Sequence, residues 1–173
     1  MRPALRVLSP GLLTTIQDRG RTGYQHLGVP VSVALDPVAL AAANALVNNR
    51  PDEAALEIFY RGPALAVEAD SVRVAVAGGD AQIEKLEDRN AESGQRIETM
   101  RSVTLRRGEV IRIGGISGGA CAYFAIESGF AIESVLGSLS TDIRSRIGGI
   151  AGRALAEGDL LPLRCAQASA SPD

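Results

Sequence analysis

Glycine punctuates this chain at nineteen of its 173 positions, and most apolar runs between these breaks are too short for a long helix. Ala64 to Ala69 and Val72 to Ala77 alternate with period two and carry β-branched residues, with Asp70-Ser71 as a turn between them. Gly78-Gly79-Asp80 breaks the next stretch. Gln95 to Leu105 and Glu109 to Ile113 alternate again, joined by Arg106-Arg107-Gly108 as a hairpin link. Gly114-Gly115-Ile116-Ser117-Gly118-Gly119 reads as a glycine-rich loop, and Cys121 to Ile126 as a central strand. The one strong helix signal is Asp36-Pro37 followed by Val38 to Val47: an N-cap, a proline suited to the first turn, and a run apolar nearly all round. Asn48, Asn49 and Pro51 end it. Asn44 inside it requires a partner if buried. The expectation is a mainly β fold with one or two helices, a barrel or curved sheet. Residues 1–165 are read as one domain and 166–173, small and polar, as a frayed tail.

The charge balance narrows what such a fold can do. Eighteen basic against 20 acidic residues leave a net charge of -2, which provides no long-range field for nucleic acid. No run reaches the roughly 18 apolar residues that cross a bilayer. Met1 to Gly11 lacks the continuous apolar stretch of a signal peptide. Cys121 and Cys165 make neither a metal spacing nor a disulfide framework, so the reducing cytoplasm is the expected compartment.

Four groups of residues carry chemistry, each with a plainer reading beside it. Asp18, Arg19 and Arg21 cluster with Gly20 and Gly23; an arginine fork suits a carboxylate, carbamate or phosphate, and a neighbouring carboxylate can orient an amide. The same loop can be a surface turn with an ion pair of little worth. His26, the only histidine, is a candidate proton shuttle or a structural hydrogen-bonding group. Ser138, Ser140 and Thr141 crowd hydroxyls that can line a polar pocket, or bond to their own backbone in a turn. Gly114 to Gly119 lacks the lysine of a phosphate-binding loop, and a strand follows it. With no Gly-x-Ser-x-Gly turn, serine hydrolysis is disfavoured. Cys121 reads as a small buried apolar residue, Cys165 as inert, and a metal site is not expected.

The stretch Pro10-Gly11-Leu12-Leu13-Thr14-Thr15-Ile16-Gln17-Asp18-Arg19-Gly20-Arg21-Thr22-Gly23-Tyr24-Gln25-His26-Leu27-Gly28-Val29-Pro30 resembles the start of the biotin-dependent carboxyltransferase / allophanate hydrolase subunit 2 family, which includes the KipA component of 5-oxoprolinase and part of urea carboxylase. The resemblance continues through Ala34-Leu35-Asp36-Pro37, Ala43 to Asn48 and Ala55-Leu56-Glu57. It returns at Gly137 to Thr141 and at Gly148 to Leu155. It implies a cyclophilin-like β-barrel and a KipI-like, subunit 1 partner. It implies work on amide or urea-type C–N bonds: 5-oxoproline ring opening with ATP, or carboxyl transfer from carboxybiotin to urea. ATP belongs to the complex in this reading. Asp18, Arg21 and His26 become the catalytic candidates, and Gly79, Asp80, Ser138, Ser140 and Thr141 the candidate substrate contacts.

Three departures qualify that expectation. Family proteins continue into a second half where this chain stops after Gly158 to Leu163, so a further polypeptide is expected to supply it. Val33 stands where the family has glycine. The family's Gly-Ser-Arg-Ser-Thr-Tyr reads here with Leu139 for Arg and Asp142 for Tyr, which removes an anion fork and adds a negative charge. The alternatives are therefore an inactive truncated member, or a non-catalytic regulator that binds a KipI-like protein.

Overall fold

A computed structural model describes residues 2–170. Nine strands and one helix follow in the order β1 (Ala4–Ser9), β2 (Leu13–Gln17), α1 (Pro37–Leu46), β3 (Ala55–Phe59), β4 (Ala64–Val67), β5 (Ser71–Leu86), β6 (Gln95–Ile97), β7 (Ser102–Arg106), β8 (Val110–Ile126) and β9 (Leu160–Pro162). A 3-10 turn, Gln25–Leu27, precedes the helix. All strand pairs are antiparallel. The sheet runs β2-β3-β8-β4-β1-β9, and β5 pairs with β8 on one side and with β6 and β7 on the other. This is the expected mainly β architecture, a curled half-barrel.

Period-two alternation divides the core between the two faces of the sheet. Leu56, Ile58, Val74, Val76, Phe124 and Ile126 point into the curl, where they join Leu5, Val7, Ile16, Leu65 and Phe130. The intervening Ala55, Ala75, Ala77, Tyr123 and Ala125 point to the other face and meet Ala39, Leu40 and Ala43 of α1 and Val47 at its C-terminal cap. Alanine on both sides lets the helix lie close to the sheet. The Asp36 carboxylate caps α1 by accepting from the amides of Val38 and Ala39, with Pro37 in the first turn. Buried Asn44 donates to the Glu53 carbonyl and accepts from the Asn49 amide, so its polar end is satisfied.

The glycine-rich segment departs from expectation. Gly114 to Gly119 is the middle of β8, not a loop, and Gly78-Gly79-Asp80 is a register shift within β5, not its end. Small residues are needed there because the two backbones approach closely: a Cβ on Gly119 would lie 3.0 Å from the Gly79 Cα. The stretch from Gln95 to Leu105 is two strands, separated at Met100, which has φ +63°.

Residues 129–159 form few regular elements yet bridge the two ends of the sheet. Ala131 N–H donates to the Pro162 carbonyl at the end of β9, while Thr141 and Leu155 donate to Ile16 and Thr14 on the outer edge of β2. This strap covers an otherwise open strand edge. Past Cys165, the Ala166 carbonyl accepts from Asp70 and Ser71, and the amides of Ala168 and Ser169 donate to Ser71 Oγ and Glu127. Residues 171–173 of the expected tail lie outside the described residues. No helix among the described residues is long and apolar enough to cross a membrane.

Candidate functional site

The Asp18 loop leaves the end of β2 and meets the strap at Gly137 to Thr141. Asp18 Oδ1 accepts from Gly20 N at 2.7 Å, Ser138 Oγ at 2.6 Å and Ser140 Oγ at 2.7 Å, and Oδ2 accepts from Leu139 N at 2.7 Å. The Asp18 amide returns a bond to Ser140 Oγ at 2.8 Å, and the Ser140 amide donates to Ser138 Oγ at 3.0 Å. Two segments far apart in sequence are thus tied into one knot. Gly20 turns the loop at φ +76°, where a Cβ would lie 2.3 Å from the Val31 carbonyl oxygen.

Arg21 is buried beneath this knot at 1% exposure. Its Nη2 donates to the Ser140 carbonyl and its Nε to the Val135 carbonyl at 3.4 Å, while Nη1 has no acceptor among the described residues. The guanidinium clamps the main chain of the strap and does not open to solvent. Gln17 supports the same point by donating to the Thr141 carbonyl at 3.0 Å. Thr141 is buried, and Gly149 packs against its hydroxyl so closely that a Cβ there would lie 2.0 Å away. Asp142, next along, accepts from Ser145 N at 2.6 Å and Ser32 Oγ at 3.0 Å. These bonds, the Ser145 amide first, hold its carboxyl below the usual range.

The structure therefore brings Asp18, Arg21, Ser138, Ser140 and Thr141 together. A cleft of about 310 Å³ opens beside the knot, lined by Asp18, Gly137 and Leu139 with Arg50, Asp52 and Arg164. His26 is exposed on the 3-10 turn, and among the described residues no hydrogen bond ties it to the knot. Gly79 and Asp80 lie on β5, apart from the cleft beside the knot: Gly79 lines another of about 570 Å³ with Asp36, Gly118 and Cys121, and Asp80 a third with Gln82 and Arg96. No group of three or more His, Cys, Asp or Glu side chains among the described residues is arranged to hold a metal.

One polar pair has no role in the sequence reading. Glu57 on β3 and Tyr123 on β8, both buried, share a 2.5 Å hydrogen bond with the phenol donating. Glu57 accepts the Leu35 amide at 2.8 Å, and the Tyr123 oxygen accepts the Asp36 amide at 2.9 Å. Burial first, and the Glu57 carboxylate with it, pushes the Tyr123 phenol far up. The available signal was a glutamate inside the otherwise apolar run Ala55-Leu56-Glu57-Ile58-Phe59, at the phase that faces the helix.

Comparison with known proteins gives the fold and the knot a context. Over 159 residues the chain is 36% identical to the urea amidolyase of Lachancea kluyveri, covering 91% of this chain and 8% of that one. It is 33% identical over 159 residues to a 5-oxoprolinase subunit of Escherichia coli, covering 92% of this chain and 49% of the relative, so it spans about half the length of that protein. The crystal structure of the Kluyveromyces lactis urea carboxylase superposes with a TM-score of 0.87 at 35% identity, over 99% of this chain and 15% of that one. Residues 27–173 match the family described as carboxyltransferase domain, subdomain A and B, and the chain belongs to that family.

Proposed function

We propose that this chain is one lobe of an amide- or urea-processing assembly, in which it works beside a KipI-like, subunit 1 protein. The substrate is a cyclic amide or urea-type C–N compound, as in 5-oxoproline opening or carboxyl transfer from carboxybiotin. The observation that carries this reading is the Asp18 knot. It joins two motifs of a chain 33–36% identical to a 5-oxoprolinase subunit and a urea amidolyase, and it sets one wall of a cleft. In this reading Asp18 and Arg21, with Ser138, Ser140 and Thr141, hold the substrate-facing turn of the strap. His26 is the acid or base, and Gly79 and Asp80 contribute from β5. The Gly114 to Gly119 run is strand and bears no lysine, so ATP chemistry falls to the partner.

The test is reconstitution. The chain, co-expressed with subunit 1-type and ATP-hydrolysing partners, is assayed for oxoproline- or urea-dependent ATP hydrolysis. Turnover per folded molecule that falls at least about tenfold in Asp18→Asn, with circular dichroism showing the variant still folded at the assay temperature, supports the reading; turnover unchanged in the folded variant removes the knot from the site. A second reading, a non-catalytic binder of the KipI-like protein, is favoured by Leu139 and Asp142 standing where the family carries Arg and Tyr. Co-purification without any substrate-dependent hydrolysis selects it.

A further inference from the structure

The loop from Thr22 to Leu35 carries no Asp, Glu, Lys or Arg, yet much of it faces solvent. Two main-chain bonds hold its far end against the Asp18 segment: Arg21 N–H donates to the Val31 carbonyl at 2.8 Å, and Ala34 N–H to the Asp18 carbonyl at 3.0 Å. Side chains then alternate. Ala34 is buried, while Val33 is 54% and Leu35 59% exposed. Val38, in the first turn of α1, is 77% exposed. The fold makes no use of large apolar groups at these outward positions. One exposed leucine is ordinary, but a run of neighbours marks a surface that meets another.

The strip continues onto the strap. Ser32 Oγ donates to Asp142 Oδ2 at 3.0 Å, so Val33 and Ile143 each follow directly on this link, and Ile143 is 48% exposed. Residues 143–146 form a closed turn. Asp142 and Ile147 exchange both main-chain bonds, at 2.8 Å and 3.0 Å, and Ser145 N–H donates to Asp142 Oδ1. A turn held in this way is already ordered before it docks. It exposes Arg144 and Arg146, and neither side chain makes a hydrogen bond or ion pair among the described residues. The Asp142 carboxylate beside them is taken up by Ser145 and Ser32. At the other end of the strip lies Asp36, four residues from Ser32 and so within about 14 Å of it. Its Oδ1 takes both helix-cap bonds, and Oδ2 accepts none among the described residues.

The strip is therefore ordered by charge: two arginines, an apolar middle, one carboxylate. A uniformly acidic partner would bring like charge to Asp36, and a uniformly basic one would bring it to the arginines. A surface with the same order, turned end for end, matches at every point. A two-fold axis through the apolar middle supplies that surface from a second copy. The net charge of -2 leaves little long-range repulsion to oppose it. We propose that this face is a two-fold interface between two copies of the chain, with Val33 and Leu35 of each packed against those of the other and Arg144 and Arg146 of each reaching Asp36 across the axis.

The test is sedimentation velocity of the full chain over a range of concentrations. The expected result is a monomer of 18.0 kDa passing to a species of twice that mass, with a dissociation constant of about 1–100 µM for so short a strip. Val33→Asp and the double variant Arg144→Glu/Arg146→Glu should each weaken the dimer at least about tenfold. Asp36→Arg should do the same alone. An equimolar mixture of Asp36→Arg with the double variant should regain the dimer, because both contacts across the axis then join opposite charges. Asp36→Arg gives up the helix cap, so circular dichroism first establishes that it is folded; if it is not, Val33→Asp and the double variant, both at exposed positions outside the cap, decide the matter. A chain that stays monomeric up to about 1 mM, a dimer of unchanged affinity in Val33→Asp or in the double variant, or a mixture of folded variants that stays monomeric would each overturn the proposal. So would a monomeric chain whose co-purification with a subunit 1-type protein is lost in Val33→Asp, which would give the face to that protein. None of the substituted residues bonds to Asp18, so dimerisation and turnover can fail independently.

Discussion

Asp18 gathers bonds from its own loop and from a segment 120 residues further along the chain. Two hydroxyls and two main-chain amides aim at its two oxygens, so the position requires an acceptor on both sides. Asp18→Asn keeps the size but places a donor against one of those donors. If the amide nitrogen takes the Oδ2 position it faces Leu139 N–H, and if it takes the Oδ1 position it faces three groups. The expected loss is about 2–4 kcal/mol of unfolding free energy, read from urea denaturation. Ser138→Ala, which removes one of the four donors, should cost about 1 kcal/mol. A loss in Asp18→Asn no larger than that of Ser138→Ala would mean the carboxylate is not the centre of the knot. The meeting of Asp18 with the serine segment was legible in the sequence only through the two family motifs. The burial of Arg21 was not, because an arginine between glycines reads equally well as an exposed fork.

Among the elements, α1 was legible almost to the residue because its signals are local: a cap, a proline and an asparagine pair. The glycines of β5 and β8 misled for a physical reason. Glycine marks a turn when φ is positive and space is open, but it also marks a place where two backbones must touch, and only tertiary structure separates the two. The same distinction predicts different outcomes at two glycines of similar φ. Gly108, in the β7–β8 hairpin, has φ +90° with nothing within 4 Å of a built Cβ. Gly148, in the strap, has φ +70°, and its Cβ would lie 2.1 Å from the Ser140 carbonyl oxygen and 2.7 Å from Arg21 Nη2. Gly108→Ala should cost only the left-handed backbone penalty, about 1–2 kcal/mol. Gly148→Ala adds a clash with backbone that the knot itself fixes, and should cost about 3 kcal/mol or more. Equal thermal midpoints for the two variants would show that the strap can yield at Gly148.

At the scale of the whole molecule, the curled sheet depends on a strap with little hydrogen-bonded ladder of its own. Two carboxyls anchor that strap, and both are held below their ordinary range: Asp142 by the Ser145 amide, and Asp159 chiefly by Arg153, with the Ala156 amide assisting. Asp159 accepts from Arg153 at 2.7 Å and 2.8 Å, and from Ala156 N at 2.8 Å. Its carbonyl accepts the Val7 amide as the strap joins β1. A carboxyl whose folded pKa lies below its unfolded one binds fewer protons when folded. Its contribution is therefore complete above the ordinary carboxylate value of about 4, and is lost as pH falls through the lowered folded value. Asp159→Asn should thus be about 1–2 kcal/mol less stable than wild type near neutral pH, and the gap should narrow steadily below about pH 4. Urea midpoints of both proteins across that range measure it. Because Asp142 behaves in the same sense on the same strap, acid should release the strap ahead of β3, β5 and β8. Amide exchange at about pH 3 should then show Thr141 and Leu155, which close the β2 edge, losing protection before Val74, Val76 and Phe124. A gap between the two proteins that widens as the pH falls, or loss of protection in β5 and β8 simultaneous with that at Thr141, would mean that these carboxylates do not hold the fold closed.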